Sequence, residues 1–208
     1  MRMQYAPKTV NCNNNYRAGN IPPASGIEDA VSALRHGGVV AYPTEAVYGL
    51  GCDAKNPVAI KKLLAIKQRD AAKGLILIAA DFAQLSPYLQ TVDPALAARA
   101  QATWPGPVTW LWPTRHDVSE LLRGAHDTLA VRVTAHAVAA QLCAAFGGAL
   151  VSTSANISGQ APACTADEAE RQFGKQLDSI VVADVGGQPK PSEIRHLLSG
   201  KVIRAGEP

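Results

Sequence analysis

The stretch AIKQRDAAKGLILIAAD, Ala65 to Asp81, sets Lys67, Arg69 and Lys73 directly against the apolar run Leu75-Ile76-Leu77-Ile78-Ala79-Ala80. The run is short, lies between Gly74 and Asp81 and is rich in branched aliphatic residues, so it reads as a buried strand. Upstream, Asn56 and Pro57 open a helix whose apolar positions Ile60, Leu63 and Leu64 lead to Lys67 near its end. Helix, cation cluster and core strand therefore follow one another. Two readings of the cations stay open at this point, a solvated charged face and the mouth of an anion site.

The same alternation extends outward. Ser25-Gly26-Ile27-Glu28 fits a capping box, and Ile27, Ala30, Val31 and Leu34 follow at helical spacing until Gly37-Gly38. Val39 to Tyr42 reads as a strand. A short helix is expected from Asp81, and Asp93-Pro94 begins another. The Trp104-Pro105-Gly106-Pro107 turn precedes a strand from Val108 to Trp112. Leu129 to Val133 is a strand, Ala135 to Phe146 a helix closed by Gly147-Gly148, and Ala149 to Thr153 a strand. Thr165 to Phe173 is a helix with a second capping box, Thr165 with Glu168, and Ile180 to Ala183 and Lys201 to Arg204 are late strands. The uneven alternation predicts an α/β fold with a mixed sheet.

The 208 residues fit one domain, and 47% hydrophobic with 18% charged residues places the chain among globular proteins. No run approaches the roughly 20 apolar residues of a spanning helix. A net charge of +3 permits an anionic ligand and is too weak to argue for a nucleic-acid protein. Cys12, Cys52, Cys143 and Cys164 form no C-x-x-C pair, and idle thiols in a reducing cytoplasm are expected. His36, His116, His126, His136 and His196 show no ligand spacing and none is assigned to catalysis. Residues 1–25 are expected to be a poorly ordered arm, with the fold over residues 26–208.

Three loops carry polar clusters. Tyr42 to Gly51, YPTEAVYGLG, follows a strand and holds two glycines, with Thr44 nearest the strand end, where α/β ligand clefts form; an ordinary glycine-rich loop is the plainer reading. Lys67, Arg69 and Lys73 offer point charges and a planar fork to phosphates, and no G-x-x-x-x-G-K-[ST] stands anywhere in the chain, so side-chain cations would replace an amide cradle. Leu150 to Gly159, LVSTSANISG, sets hydroxyls and an amide just past a strand, as a binding loop or as a turn. Arg132 lies inside the apolar strand LAVRV, where a charge is costly unless paired. It either meets a buried carboxylate or binds an anion, and Thr128 shares its edge. Trp104, Trp110 and Trp112 are expected to pack the core.

Taken in order, AYPTEAVYGLGCDA, KQRDAAKGLILIAA, WPGPVTWLWP, LAVRVTAHAV, LVSTSANISGQAP and PSEIRHLLSGKVIRAG resemble the YrdC-type threonylcarbamoyl-adenylate synthases, most closely their short bacterial form. The resemblance covers about Gly26 to Gly206. It implies a twisted open mixed sheet with helices on both sides and a large concave cleft. It also implies that L-threonine, bicarbonate and ATP give threonylcarbamoyl-AMP and pyrophosphate in the cytoplasm. That product serves adenosine 37 of tRNAs reading codons that begin with A, through a separate transferase complex.

Carried over position by position, Thr44, Arg132, Ser152 and Ser192 are expected around threonine, with Arg132 on its carboxylate. Lys67, Arg69, Lys73, Thr128, Ser154, Asn156 and Arg204 are expected around ATP. Lys67 and Arg69, with Mg2+ on the ATP phosphates, would stabilise the charge that grows in the transition state, with no covalent enzyme intermediate. Two departures stand out. Long relatives carry a histidine near the position of Ile78 and a proline where this chain has Asp70, and the chain's end at Pro208 leaves no room for their extra C-terminal domain. A rival expectation is an RNA-binding module that holds tRNA or double-stranded RNA on a basic concave surface.

Overall fold

The computed structural model describes residues 24–188 and 192–205. In chain order its elements are α1 (Ile27–Arg35), β1 (Val40–Pro43), β2 (Tyr48–Asp53), α2 (Pro57–Lys67), β3 (Ile76–Ala79), α3 (Phe82–Leu85), α4 (Pro94–Gln101), β4 (Val108–Pro113), α5 (Glu120–Arg123), β5 (Thr128–Val133), α6 (Ala137–Phe146), β6 (Leu150–Ser154), α7 (Ala166–Phe173), β7 (Ser179–Ile180), β8 (Glu193–His196) and β9 (Val202–Arg204). The strands form one sheet in the order β7-β1-β2-β6-β3-β5-β4-β8-β9. β1 runs parallel to β7, β3 to β5 and β4 to β8, and the remaining neighbours are antiparallel. The sheet is mixed, as the uneven alternation predicts.

Side-chain oxygens start several helices where the sequence signals lie. Asn56 Oδ1 accepts from the N–H groups of Val58 and Ala59 at 3.0 and 3.1 Å, and the Asp81 and Asp93 carboxylates cap α3 and α4. Thr165 Oγ1 accepts from Glu168 N–H, while the Glu168 carboxylate reaches back to Cys164 N–H at 2.7 Å, one residue beyond the usual box. The box expected at Ser25 is not formed. Gly26 occupies the cap with φ 87°, and Ser25 instead exchanges backbone hydrogen bonds with Val182. Apart from Ala24 and Ser25, the expected arm over residues 1–25 lies outside the described residues.

Alternation along the strands fills both faces of the sheet. Val39, Ala41, Leu77, Ala79 and Val151 join one cluster with Ile60 and Leu63 of α2, Ala169 and Phe173 of α7, and the buried Trp110 and Trp112. Val40, Tyr42, Ile78 and Leu150 point the other way, onto Ile27, Val31 and Leu34 of α1 and Val138 and Leu142 of α6. The two tryptophans pack the core as expected. Each places its indole N–H on an acceptor, Thr103 Oγ1 for Trp110 and the Gln90 carbonyl for Trp112.

Two expectations are corrected. Tyr42 to Gly51 is not one long loop, because Tyr48 to Asp53 forms strand β2 in a hairpin with β1, leaving Thr44 to Val47 as the turn. The glycines are strand residues admitted by close packing: a Cβ on Gly51 would lie 2.7 Å from both Tyr42 Cε1 and the Val151 carbonyl oxygen. Cys52 and Cys143 are buried free thiols, whereas Cys164 is joined in a disulfide rather than idle.

The second apolar cluster includes no residue of β4, β5, β8 or β9. On that face α1 and α6 cover one half of the sheet, and among the described residues the other half stays open.

Candidate functional site

The open half-face forms a cleft of about 650 Å³. Its floor is a cross-strand row: Ser152 of β6 pairs with Ile76 of β3, which pairs with Ala130 of β5, which pairs with Leu111 of β4. Thr128 and Arg132 flank Ala130 on the same face of β5, as strand alternation requires. The turn after β1 contributes Thr44 and Glu45, and β9 contributes Ile203 and Arg204.

At one end Arg132, 7% exposed, meets Glu45, also 7% exposed, at 3.3 Å between Nη2 and Oε2. The other Glu45 oxygen, Oε1, accepts from the Thr134 hydroxyl at 2.7 Å and from the Ala135 N–H at 3.2 Å. Burial alone would raise the Glu45 pKa, but Arg132 and the Thr134 hydrogen bond outweigh it and hold the carboxyl below its usual range. The strand arginine is thus both paired and in the cleft wall, so the two readings of it are not exclusive. Thr44 donates its hydroxyl and its N–H to the Val47 carbonyl, and Ser152 is buried to 6% on the floor beside it.

At the other end the chain leaves α2 and enters β3. Lys67 falls on the buried stripe of α2, one turn after Leu63, and is 2% exposed. Its ammonium donates to the Ser154 carbonyl, to the Asn156 carbonyl at 2.8 Å and to Asn156 Oδ1 at 3.3 Å. Burial, then the nearby Arg69, lowers its pKa to about 7. Lys67 therefore stands behind the wall rather than in it. Gln68 takes the left-handed conformation with φ 49°, and this reversal sends Arg69 to the opposite side, into the cleft.

Arg69 donates to the Gly74 carbonyl at 2.9 Å. Asp70 caps the following turn, Ala71–Lys73, by accepting from Ala72 N–H at 2.9 Å. The carboxylate set among three cations thus mounts Lys73, which also lines the cleft. Ser154 donates to Asn156 Oδ1 at 2.6 Å, and Asn156 donates to the Ile157 and Gln160 carbonyls, so the STSAN segment is a closed network with Lys67 beneath it. Arg204 donates twice to the Ser192 carbonyl, at 2.7 and 3.1 Å, while the Ser192 hydroxyl faces Thr109 Oγ1 at 3.1 Å. Arg204 also lies close enough to Arg132 for the two cations to repel.

Of the residues expected from the sequence, Thr44, Arg69, Lys73, Thr128, Arg132, Ser152, Ser154, Asn156, Ser192 and Arg204 line this cleft, and Lys67 does not. Sequence reading missed Glu45, Arg123, His126 and Gln188, which line it too. A signal for Glu45 existed, since a buried strand arginine calls for a carboxylate and Glu45 follows Thr44 directly. Among the described residues the wall has the charge of Arg69, Lys73, Arg123, Arg132 and Arg204 against the single carboxylate Glu45. Ile78 is fully buried beneath α6 and does not reach the cleft.

Fold and lining define a class: an open mixed α/β sheet, without a P-loop, whose uncovered half is lined by cations and hydroxyls. The Sua5/YciO/YrdC family, described as "Telomere recombination", matches residues 32–206, and the chain belongs to it. It is 51% identical over 181 residues to a Chromohalobacter salexigens protein named threonylcarbamoyl-AMP synthase, covering 87% of this chain and 97% of that one. Among solved structures it is similar to P. abyssi Sua5 complexed with L-threonine, with TM-score 0.79, 31% identity and 85% of this chain covered. The chain spans about half of that archaeal protein, 52%. E. coli YciO is similar at TM-score 0.72 and 28% identity, with 86% and 87% of the two chains covered.

Proposed function

We propose that the chain catalyses formation of threonylcarbamoyl-AMP and pyrophosphate from L-threonine, bicarbonate and ATP. The observation that carries this reading is the convergence, in one cleft, of a cation set and a hydroxyl set drawn from separate strands and turns. The half-identical relative bears the name of this activity, and the Sua5 relative was solved with L-threonine.

Threonine occupies the inner end, with its carboxylate on Arg132 and its polar groups near Thr44, Ser152 and Ser192. ATP lies toward Arg69 and Lys73, with Thr128, Ser154, Asn156 and Arg204 beside it. The threonine amine combines with bicarbonate to give a carbamate and water. A carbamate oxygen then forms a bond to the α-phosphorus, and the bond to the β-phosphate oxygen breaks with release of pyrophosphate. Fixed cations stabilise the charge that builds on the phosphate oxygens, and both substrates are held in reach of each other. Lys67 acts from behind: its Nζ hydrogen-bonds the Ser154 and Asn156 carbonyls and holds that segment in place.

Glu45, the one carboxylate in the wall, is committed to Arg132, and among the described residues no cluster of His, Cys, Asp and Glu forms a metal site. In this reading Mg2+ enters as part of the MgATP substrate. The product serves threonylcarbamoylation of tRNA adenosine 37 through a separate transferase complex in the cytoplasm. No helix among the described residues is long and apolar enough to cross a membrane. The rival RNA-binding reading has no support from the relatives' names, and a 650 Å³ cleft has the size of a small-molecule site.

The test is pyrophosphate release by the purified chain with each substrate omitted in turn. Release that requires both threonine and bicarbonate is the expected result, and release indifferent to threonine would sink the reading.

A further inference from the structure

Three buried polar groups lie at the inner end of the cleft. Tyr42 Oη, Glu45 Oε2 and Arg132 Nε are buried polar atoms without a hydrogen bond, and Glu45 Oε2 meets Arg132 Nη2 only as an ion pair at 3.3 Å. Buried polar groups without a hydrogen bond are disfavoured. Their placement therefore calls for another reason.

Tyr42 is fully buried, and its ring lies against Gly51, where a Cβ would come within 3.2 Å of Oη. Gly51 pairs with Ser152 across β2 and β6, so the phenol lies under the serine on the cleft floor. Its surroundings include the Ser152 side chain and Arg132. Glu45 is rigidly mounted on the β5–α6 junction through Thr134 and Ala135, and Thr134 N–H is itself tied to the Ala79 carbonyl at 3.1 Å. The carboxylate thus holds one corner of the Arg132 guanidinium from beside it in the cleft wall.

We propose that Glu45 and Tyr42 are positioning residues, Glu45 for the Arg132 guanidinium and Tyr42 for the Ser152 hydroxyl, and that together they set selectivity for the amino-acid substrate. This rests on the reading of the inner end as the threonine seat. Glu45 fixes the direction in which Arg132 presents its N–H groups to a carboxylate. The Tyr42 hydroxyl donates to Ser152 Oγ when ligand is bound, which turns the serine's own proton into the cleft.

The test uses Glu45→Gln and Tyr42→Phe in the full chain. Both keep the side chain's shape, and the glutamine can still accept from Thr134. With ATP and bicarbonate saturating, KM for threonine is expected to rise about tenfold in Glu45→Gln and about threefold in Tyr42→Phe, the loss of charge-assisted and neutral contacts respectively. KM for ATP should stay within about twofold, and Tyr42→Phe should melt no lower than wild type. A threonine KM unchanged in both variants, or KM values for threonine and ATP that rise together, overturns the positioning role. If wild type forms product while the variants match it, only this inference falls; if wild type forms none, the reading beneath it falls as well.

Discussion

The two ends of the cleft present their cations in different ways. At the inner end the cation sits on a central strand, is buried, and is matched by a carboxylate that is itself anchored to backbone. At the outer end Arg69 and Lys73 stand on a turn between α2 and β3. The inner end suits a ligand of fixed shape and single charge, for which orientation matters most. The outer end suits a polyphosphate, for which summed charge matters most. The difference follows from the backbone: strands fix side-chain direction, and turns give reach.

The comparison can be broken most severely at Arg132. Removing one member of a buried pair strands the other, so Arg132→Ala should cost about 3–5 kcal/mol in unfolding free energy as well as threonine use. Denaturant titration together with threonine kinetics checks both, and a variant of wild-type stability would show that the pair is not buried in the way described. At the outer end Arg69→Ala or Lys73→Ala should lower the rate on the order of 10²-fold while threonine binding persists. Steady-state rates and calorimetric binding separate the two effects, and equal loss of threonine binding would merge the ends into one site.

The smallest effect is expected behind the wall, at Lys67. Its pKa falls from 10.5 to about 7 on folding, so between those values the unfolded chain binds more protons than the folded one. Stability of the ligand-free protein should therefore rise from pH 7 to 9 in wild type relative to Lys67→Met. Thermal melts at the two pH values decide it. A fall instead of a rise would mean that the three oxygens around Nζ keep the ammonium charged well above pH 7.

Much of this architecture is written locally. The Leu75 to Ala80 run, the Asn56, Asp81, Asp93 and Thr165 caps and the solitary Arg132 each point to what the structure contains. β2 was hidden because its glycines are disfavoured in strands, and only the ring of Tyr42 and the neighbouring β6 backbone require them. α5 and β8 are four-residue elements, and β8 is placed in the sheet by β4, which is remote in sequence. Lys67 and Arg69, two residues apart, look equivalent in the sequence. The left-handed Gln68 places one behind the wall and the other in it, a conformation unusual for a residue other than glycine. Asp70, odd among the cations, turns out to cap the turn that carries Lys73. Glu45 and Tyr42 were passed over because their roles depend on which strands lie side by side.

The most direct test of the central claim is mass spectrometry of the reaction with ATP, Mg2+, threonine and carbon-13 bicarbonate, with serine as competitor. The expected products are threonylcarbamoyl-AMP bearing one labelled carbon and pyrophosphate in equal amount, with threonine preferred over serine. ATP consumed without a labelled adduct, or no turnover at all, would contradict that claim.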